Sequence, residues 1–500
     1  MGDDREAILT YHEQTKHSQA SLRRDPHALD WANMPRPFKV YVDLDPIPLP
    51  QELASSASPA LAAIADRGGA RGAAALDLRA LAHLLYFSAG VLRRRAYPGG
   101  EIFFRAAACT GALYHIDLYV VCASLPDLDA GVYHFGPHDF ALRRLRAGDH
   151  RATLLDAAAD ESAVRDAPAV LVYTSTFWRN AWKYRARTYR HCFWDAGTIL
   201  ANLLAVASAT RRPVRAVQAF ADDDVNRLLD LDVEREVALG LLALGSDAPA
   251  PPAASPSVPL GLATLPLSAR EVVYPQITAA HAATSLATTA DATVARVAVP
   301  AAAVTGAAVA LESLDPDAVP ESVEAVIMRR GSTRRFPRDP ITLSQLATIL
   351  HAASTGFSTD CAVAPQPYLI VHAVEGLAPG TYVMDPGQPG LVPLRAGRFR
   401  AEAGWLGLGQ ELPADAAVNI YWLADLDAVL ARQGARGYRA AQLSAAIAGG
   451  RTYLAAYALG LGATGLTFFD DDVTAFFSPH AAGKSVMFLM AVGARRSRAR

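Results

Sequence analysis

Apolar positions along the chain fall into two series of elements in the same order, about 250 residues apart. From Leu76 to Ser88, the leucines at 78, 81, 84 and 85 share one side of a helix. Unbroken apolar runs then predict buried strands over 118–122, 131–135 and 170–173, followed by a long helix over 178–210 that buries a Leu and Ala face. The order returns with a helix over 344–353, strands over 368–372, 381–384 and 419–423, a helix over 440–459 and a closing strand over 486–492. The strands neighbour one another as hairpins and not as regular βαβ units. The pattern predicts an α+β class, with a central mixed sheet flanked by helices in each series.

The recurrence is also literal. Asp222-Asp223-Asp224-Val225 returns as Asp470-Asp471-Asp472-Val473, an offset of 248. Gly131-Val132-Tyr133 with Leu-Arg-Ala-Gly at 145–148 returns as Gly380-Thr381-Tyr382 with the same four residues at 394–397, an offset of 249. A period this long means a duplicated domain and not a solenoid. The expected organisation is an arm over 1–60, a first domain over 61–245, a linker and packed connector over 246–315, and a second domain over 316–495. In the arm, Thr15-Lys16-His17-Ser18 and the proline-bearing segment 31–41 read as an ordered wrap without regular structure that clamps the body. Residues 249–260, PAPPAASPSVPL, are a turn-rich connector.

At 51% hydrophobic and 19% charged residues, each half can bury a sizeable core. A net charge of −2 argues against a nucleic-acid partner. Cys109, Cys122, Cys192 and Cys361 have no close pair and no metal-ligand spacing, which argues against a disulfide framework or a metal site. The chain does not start with a basic stretch followed by an apolar one, and the tract 297–309 is too short and alanine-rich to span a bilayer. A cytoplasmic protein without a membrane partner is expected. The basic residues 495–500 read as a solvated tail.

The candidate chemistry is divided between the copies. Arg330, Ser332 and Arg334 alternate, so on an extended segment they point the same way and could converge on one phosphate, or form a solvated basic face after a helix. Leu459-Gly460-Leu461-Gly462-Ala463-Thr464-Gly465 reads as a loop that either caps a helix and turns or lies tight against a flat ligand. The first copy has Arg212, Val214 and Val217 at the three glycine positions, and Ala73-Ala74-Ala75 before its first helix where the second has arginine and serine. Conversely, only the first copy has Thr110-Gly111-Ala112, a turn whose small side chains would let its backbone approach a planar ring, or an ordinary turn into a strand. Only the first copy has Lys183-Tyr184, a candidate base and a candidate proton donor, or otherwise surface and core residues. Each copy lacks the other's part, so the chain reads as a fused pseudo-dimer with one composite cofactor site.

The Arg-x-Ser-x-Arg segment, the glycine run at 459–463 and the closing strand to Gly493 resemble the nitroreductase fold. The first copy, through 105–119, 129–145, Trp182-Lys183-Tyr184-Arg185 and Asp195-Ala196-Gly197, is similar to the SagB-type azoline-oxidising dehydrogenases, and Thr15-Lys16-His17 is similar to an amino-terminal signature of long members. The resemblance implies FMN between the two halves. Arg330, Ser332 and Arg334 would hold its phosphate with Lys484 as a second cation; Gly462, Ala463, Thr464 and Gly465 would hold the ring edge, and Thr110, Gly111 and Ala112 would contact it from the partner copy. It also implies Lys183 and Tyr184 as the catalytic pair, with Gly437-Tyr438 in the inactive copy. The implied activity is an FMN-dependent dehydrogenase oxidising azoline-like heterocycles in a peptide or related natural product, alongside biosynthetic partner enzymes. The alternatives are an NAD(P)H-dependent nitro- or quinone reductase acting on small molecules, or a non-catalytic flavin-binding partner. Whole chains can pair further into a homodimer.

Overall fold

The computed structural model describes residues 2–24, 26–68, 74–97, 100–385 and 390–495; Ala73 and the tail 496–500 lie outside them. Two seven-stranded sheets share one strand order. In the first, Pro46–Pro48, Ala141–Ala147, Gly131–Gly136, Ile116–Cys122, Ala169–Thr176, Glu236–Leu244 and Val214–Val217 lie side by side. In the second, the matching series is Val309–Ala310, Gly390–Ala396, Gly380–Met384, Gln366–Val371, Val418–Ala424, Ser485–Gly493 and Gly462–Leu466. The expected mixed sheet is corrected: every pairing within both sheets is antiparallel. The central strands Ile116–Cys122 and Ala169–Thr176 are buried along their whole length, which explains their unbroken apolar runs.

Between the sheets, the helices Thr188–Ala209 and Gly437–Ala458 pack on each other and are buried almost throughout. The helix expected over 178–210 is interrupted. Phe177–Tyr184 ends at Arg185, whose φ of 50° stands where the other copy has Gly434 at 62°. Helix approach is set by missing side chains: a Cβ on Gly197 would lie 2.5 Å from that of Ala446, and one on Gly450 would lie 2.5 Å from that of Ala201. Residues 197 and 446, and 201 and 450, are counterparts at the offset of 249. Residues that meet their own counterparts mark the axis of an isologous interface, here inside one chain. The stretch 177–209 is apolar and long enough to cross a membrane, but 94% of its most apolar window is buried, and that apolarity serves this interface.

The same axis explains the repeated aspartates. Asp470 accepts from Arg187 at 3.0 Å and Arg190 at 2.6 Å, both on the first copy. Asp222 accepts from Arg436 and Arg439 of the second copy, each at 2.7 Å. Burial pushes both carboxyls up, but the paired guanidiniums more than offset it and hold both below the usual carboxylate range, Asp470 well below it. The two copies of the fold therefore form an intramolecular pseudo-dimer with crossed charge clamps.

The arm is more regular than expected. Gly2–Gln14 is a helix, and Ile8, Tyr11, His12 and Thr15 share its buried side at helical spacing. Thr15 Oγ1 and the His12 carbonyl accept from Arg190 at 3.1 and 2.5 Å. The connector repeats this arrangement in the helix Pro275–Thr284: Arg439 donates to Thr284 Oγ1 at 2.8 Å and lies 3.1 Å from His281 Nδ1. His12-x-x-Thr15 and His281-x-x-Thr284 share one spacing, and Pro46–Pro48 and Val309–Ala310 pair with matching strands. Much of the connector is thus a second arm.

Candidate functional site

The glycine run is not a loop. Gly460, at φ 75°, ends the preceding helix, and Gly462–Leu466 is an edge strand in register with the closing strand, Gly462 opposite Gly493 and Gly465 opposite Met490. The arginine-serine segment leaves the helix Val323–Arg329 without strand structure of its own and crosses this edge. Thr333 N–H donates to the Ala463 carbonyl at 3.0 Å, and a Cβ on Gly462 would come within 2.5 Å of Thr333 Oγ1. Gly462 is therefore a close crossing that excludes a side chain.

Tyr453, from the helix Gly437–Ala458, organises the crossing. Its hydroxyl lies 3.2 Å from Ser332 Oγ and accepts from Gly465 N–H at 2.6 Å, and Arg330 stacks over its ring at 5.4 Å. Arg330 also donates to the Ala106 carbonyl of the first copy at 2.9 Å, and burial pushes its guanidinium below the usual value. Arg334 is exposed and has no hydrogen-bonded partner among the described residues. Thr464 is buried in the edge strand. Lys484 is not brought to this group. It donates to the His480 carbonyl at 3.3 Å and precedes Ser485, the opposite end of the strand from Gly493 and roughly 25 Å away at about 3.3 Å per residue. Arg495, read from sequence as the start of a tail, joins the group instead: its guanidinium stacks 4.7 Å over Tyr457, and its Cγ lies 2.8 Å from the Cβ position of Gly462. Its place two residues beyond Gly493 was the available signal.

In the first copy, Thr110-Gly111-Ala112 forms a tight turn with Gly111 at φ 63°, Ala112 at 56° and Tyr114 at 48°. A non-glycine residue in this region costs about 1–2 kcal/mol, so something must hold the turn. Asp195 does. It accepts from Thr110 N–H at 2.9 Å, Thr110 Oγ1 at 2.7 Å, Cys109 Sγ at 3.0 Å and His115 Nε2 at 2.9 Å. Tyr184 faces the turn, its hydroxyl 2.9 Å from where a Cβ on Gly111 would be. Burial, with Asp195 and Cys109 nearby, pushes that hydroxyl well above the usual phenol range, so it remains a donor at neutral pH. Lys183 is partly buried, its Nζ 5.4 Å from the Tyr184 ring. The counterparts of Lys183-Tyr184 at the offset of 249 are Arg432-Gln433; Gly437-Tyr438, expected there, matches Thr188-Tyr189 instead.

Aromatic contacts join the two groups across the interface. Tyr184 meets His191 at 4.5 Å, His191 meets Trp194 at 4.8 Å, and Trp194 meets Phe488 at 5.7 Å. Phe488 lies 3.5 Å from the Cβ position of Gly465. Across the axis the corresponding place is closed. Val214 and Val217 stand where the second copy has Gly462 and Gly465, and Ala216 bridges Thr359. Ser358 O accepts from Ala216 N–H at 2.9 Å, and Asp360 accepts from Gln218 and Ala219 N–H at 2.8 and 3.0 Å. Among the described residues, no such bridge joins the 462–466 edge to the Thr110 turn. One side of the pseudo-dimer is sealed by backbone and the other is not.

The Nitroreductase family profile matches residues 104–246 and 327–494, one match in each half. A solved structure from Anabaena variabilis ATCC 29413, named "putative nitroreductase", superposes with a TM-score of 0.77 at 25% identity, over 98% of this chain and 99% of that one. A second of the same name, from Ralstonia eutropha JMP134, gives 0.33 at 22% identity over 43% of this chain and 99% of its own. "Putative nitroreductase MJ1384" of Methanocaldococcus jannaschii is 25% identical over 170 residues, 34% of this chain and 81% of that protein. With a match in each half and most of the chain covered, the protein belongs to the nitroreductase family, as a tandem member with two copies of the fold.

Proposed function

We propose that the protein is an FMN-dependent oxidoreductase with one composite site per chain, passing electrons from NAD(P)H to a nitroaromatic, quinone or similar small acceptor. The unsealed edge at Gly462–Leu466, against a closed counterpart at Val214–Val217, carries this reading. The donor set suits a phosphate monoester: Arg330 and Ser332 meet at Tyr453, and Arg495 joins them beside Gly462, where the chain crosses too closely for a side chain. Arg334, being exposed, is free to turn towards them. Ala463, Thr464 and Gly465 would lie along the ring edge, and Thr110, Gly111 and Ala112 would close over it from the other copy. Bound FMN would supply the hydride chemistry, while the chain binds, orients and excludes water. Arg330 would exchange the Ala106 carbonyl for phosphate, and Tyr184 would hold a proton beside Gly111.

Azoline-type dehydrogenation of a peptide is a second reading, favoured by Tyr184 lying against Gly111 with Lys183 next to it, in the first copy only. There Lys183 would take a ring proton, and modifying partner enzymes would supply the heterocycle. Anaerobic rapid mixing separates the readings. NADPH bleaching the flavin at similar rates in wild type, Lys183→Ala and Tyr184→Phe supports the reductase. Bleaching by a reduced heterocycle that falls on the order of 10²–10⁴-fold in these variants supports the dehydrogenase. Bleaching by neither donor would leave a non-catalytic flavin-binding partner.

A further inference from the structure

We infer that Asp195 is a positioning residue of the composite site, fixing the turn from Cys109 to Tyr114 on which the first copy's contribution depends; the inference rests on the composite-site reading. All the hydrogen bonds around it run one way. Cys192 Sγ donates to Ser175 Oγ at 3.2 Å, and Ser175 lies 2.8 Å from His115 Nδ1. With His115 protonated on Nε2, Ser175 donates to Nδ1 and His115 donates to Asp195. Thr110, through N–H and hydroxyl, and Cys109 add three more donors to the same carboxylate. No lysine or arginine forms an ion pair with Asp195 among the described residues, and the carboxylate is buried. Its charge is balanced by hydrogen bonds from the turn and from a buried relay, so the turn and the carboxylate stabilise each other.

The second copy lacks the device. Ser444 stands at the matching position, its buried hydroxyl without a hydrogen-bonded partner among the described residues, and the turn over 358–360 is instead anchored to the first copy's edge, where Asp360 accepts from Gln218 and Ala219 N–H. A carboxylate needed only to fill the space beside the long helix would have no reason to track the side that is left open. The distinction follows function and not packing.

Asp195→Asn keeps the shape but turns donor against donor. Hydrogen exchange by mass spectrometry on flavin-free protein reads the turn directly. The expected result is exchange at least about tenfold faster across 106–116 with unchanged exchange across 437–458. FMN affinity, measured by fluorescence quenching, is expected to weaken about 10- to 150-fold, the range for losing bonds to a charged acceptor. In the exchange reading, Thr110→Ser, which keeps both donors, should leave 106–116 close to wild type, and Thr110→Val should lie between wild type and Asp195→Asn. Exchange and affinity both within about twofold of wild type in Asp195→Asn would overturn the proposal. If Asp195→Asn does not fold, Thr110→Val decides by the exchange reading: exchange across 106–116 within about twofold of wild type would overturn the proposal. Wild-type protein that takes up no FMN would refute the composite-site reading, while the exchange result would still judge the role of Asp195 in the turn.

Discussion

Removing Asp470 tests the architecture that assembles the site. The carboxylate is 3% exposed and lies between Arg187 at 3.0 Å and Arg190 at 2.6 Å, with His17 N–H donating at 2.8 Å. Both guanidiniums are themselves buried, so Asp470→Ala leaves two buried cations without a counter-charge. Breaking a buried pair in this way costs about 3–5 kcal/mol. The neighbouring Asp471 is an internal control: it pairs with Lys16 at 2.8 Å but is 72% exposed, and its loss should cost about 0–1 kcal/mol. Urea unfolding followed by circular dichroism should place Asp470→Ala and, by pseudo-symmetry, Asp222→Ala several kcal/mol below Asp471→Ala. The sign with pH is fixed by the depressed carboxyl. Its contribution is fully present above the unfolded value of about 3.9 and is lost as pH falls through the lower folded one. The gap between wild type and Asp470→Ala should therefore hold from pH 8 to about 5 and narrow below 4. Equal stability of Asp470→Ala and Asp471→Ala at pH 7 would refute the crossed-clamp reasoning.

Three further outcomes are expected. Arg330→Ala should weaken FMN about 10- to 150-fold without unfolding the protein, read by fluorescence titration against a melting curve. Purified protein should release one FMN per 53.1 kDa chain on denaturation, and two would show that the Val214–Val217 side also binds. His281, lowered to about 3 by burial and then by Arg439, stays neutral when folded but charges near pH 6.5 when unfolded, so it erodes stability as pH falls from 6.5 towards 3. His281→Asn should flatten the pH dependence of the unfolding free energy, read by urea titration between pH 7 and 5, by up to about 1.4 kcal/mol per pH unit.

The duplication was readable because Asp222–Val225 and Asp470–Val473 are literal repeats, yet their purpose was not. The partners Arg187 and Arg190 lie some 280 residues from Asp470, and only the folded interface brings them together. The strand Gly462–Leu466 escaped because glycine and alanine carry low strand propensity; it is held by register with Leu489–Gly493 and not by its own side chains. The second arm was hidden because only Ile277, His281 and Thr284 repeat Ile8, His12 and Thr15 at the same spacing, while Tyr11 is replaced by Ala280. Asp195 stood out only within Asp195-Ala196-Gly197 and without a role, because a buried carboxylate whose partners are a turn, a thiol and a histidine has no spacing to recognise.

The covalent join between the halves has a consequence for heredity. In a dimer of identical chains every substitution is written on both sides of the axis, so a valine that closes one pocket closes the other as well. Tethering holds the second half at an effective concentration set by the connector and independent of dilution, and it frees each side to vary alone. Val214 and Val217 could replace glycines on one side while Gly462 and Gly465 persisted on the other, and the sealed side could then be selected for rigidity.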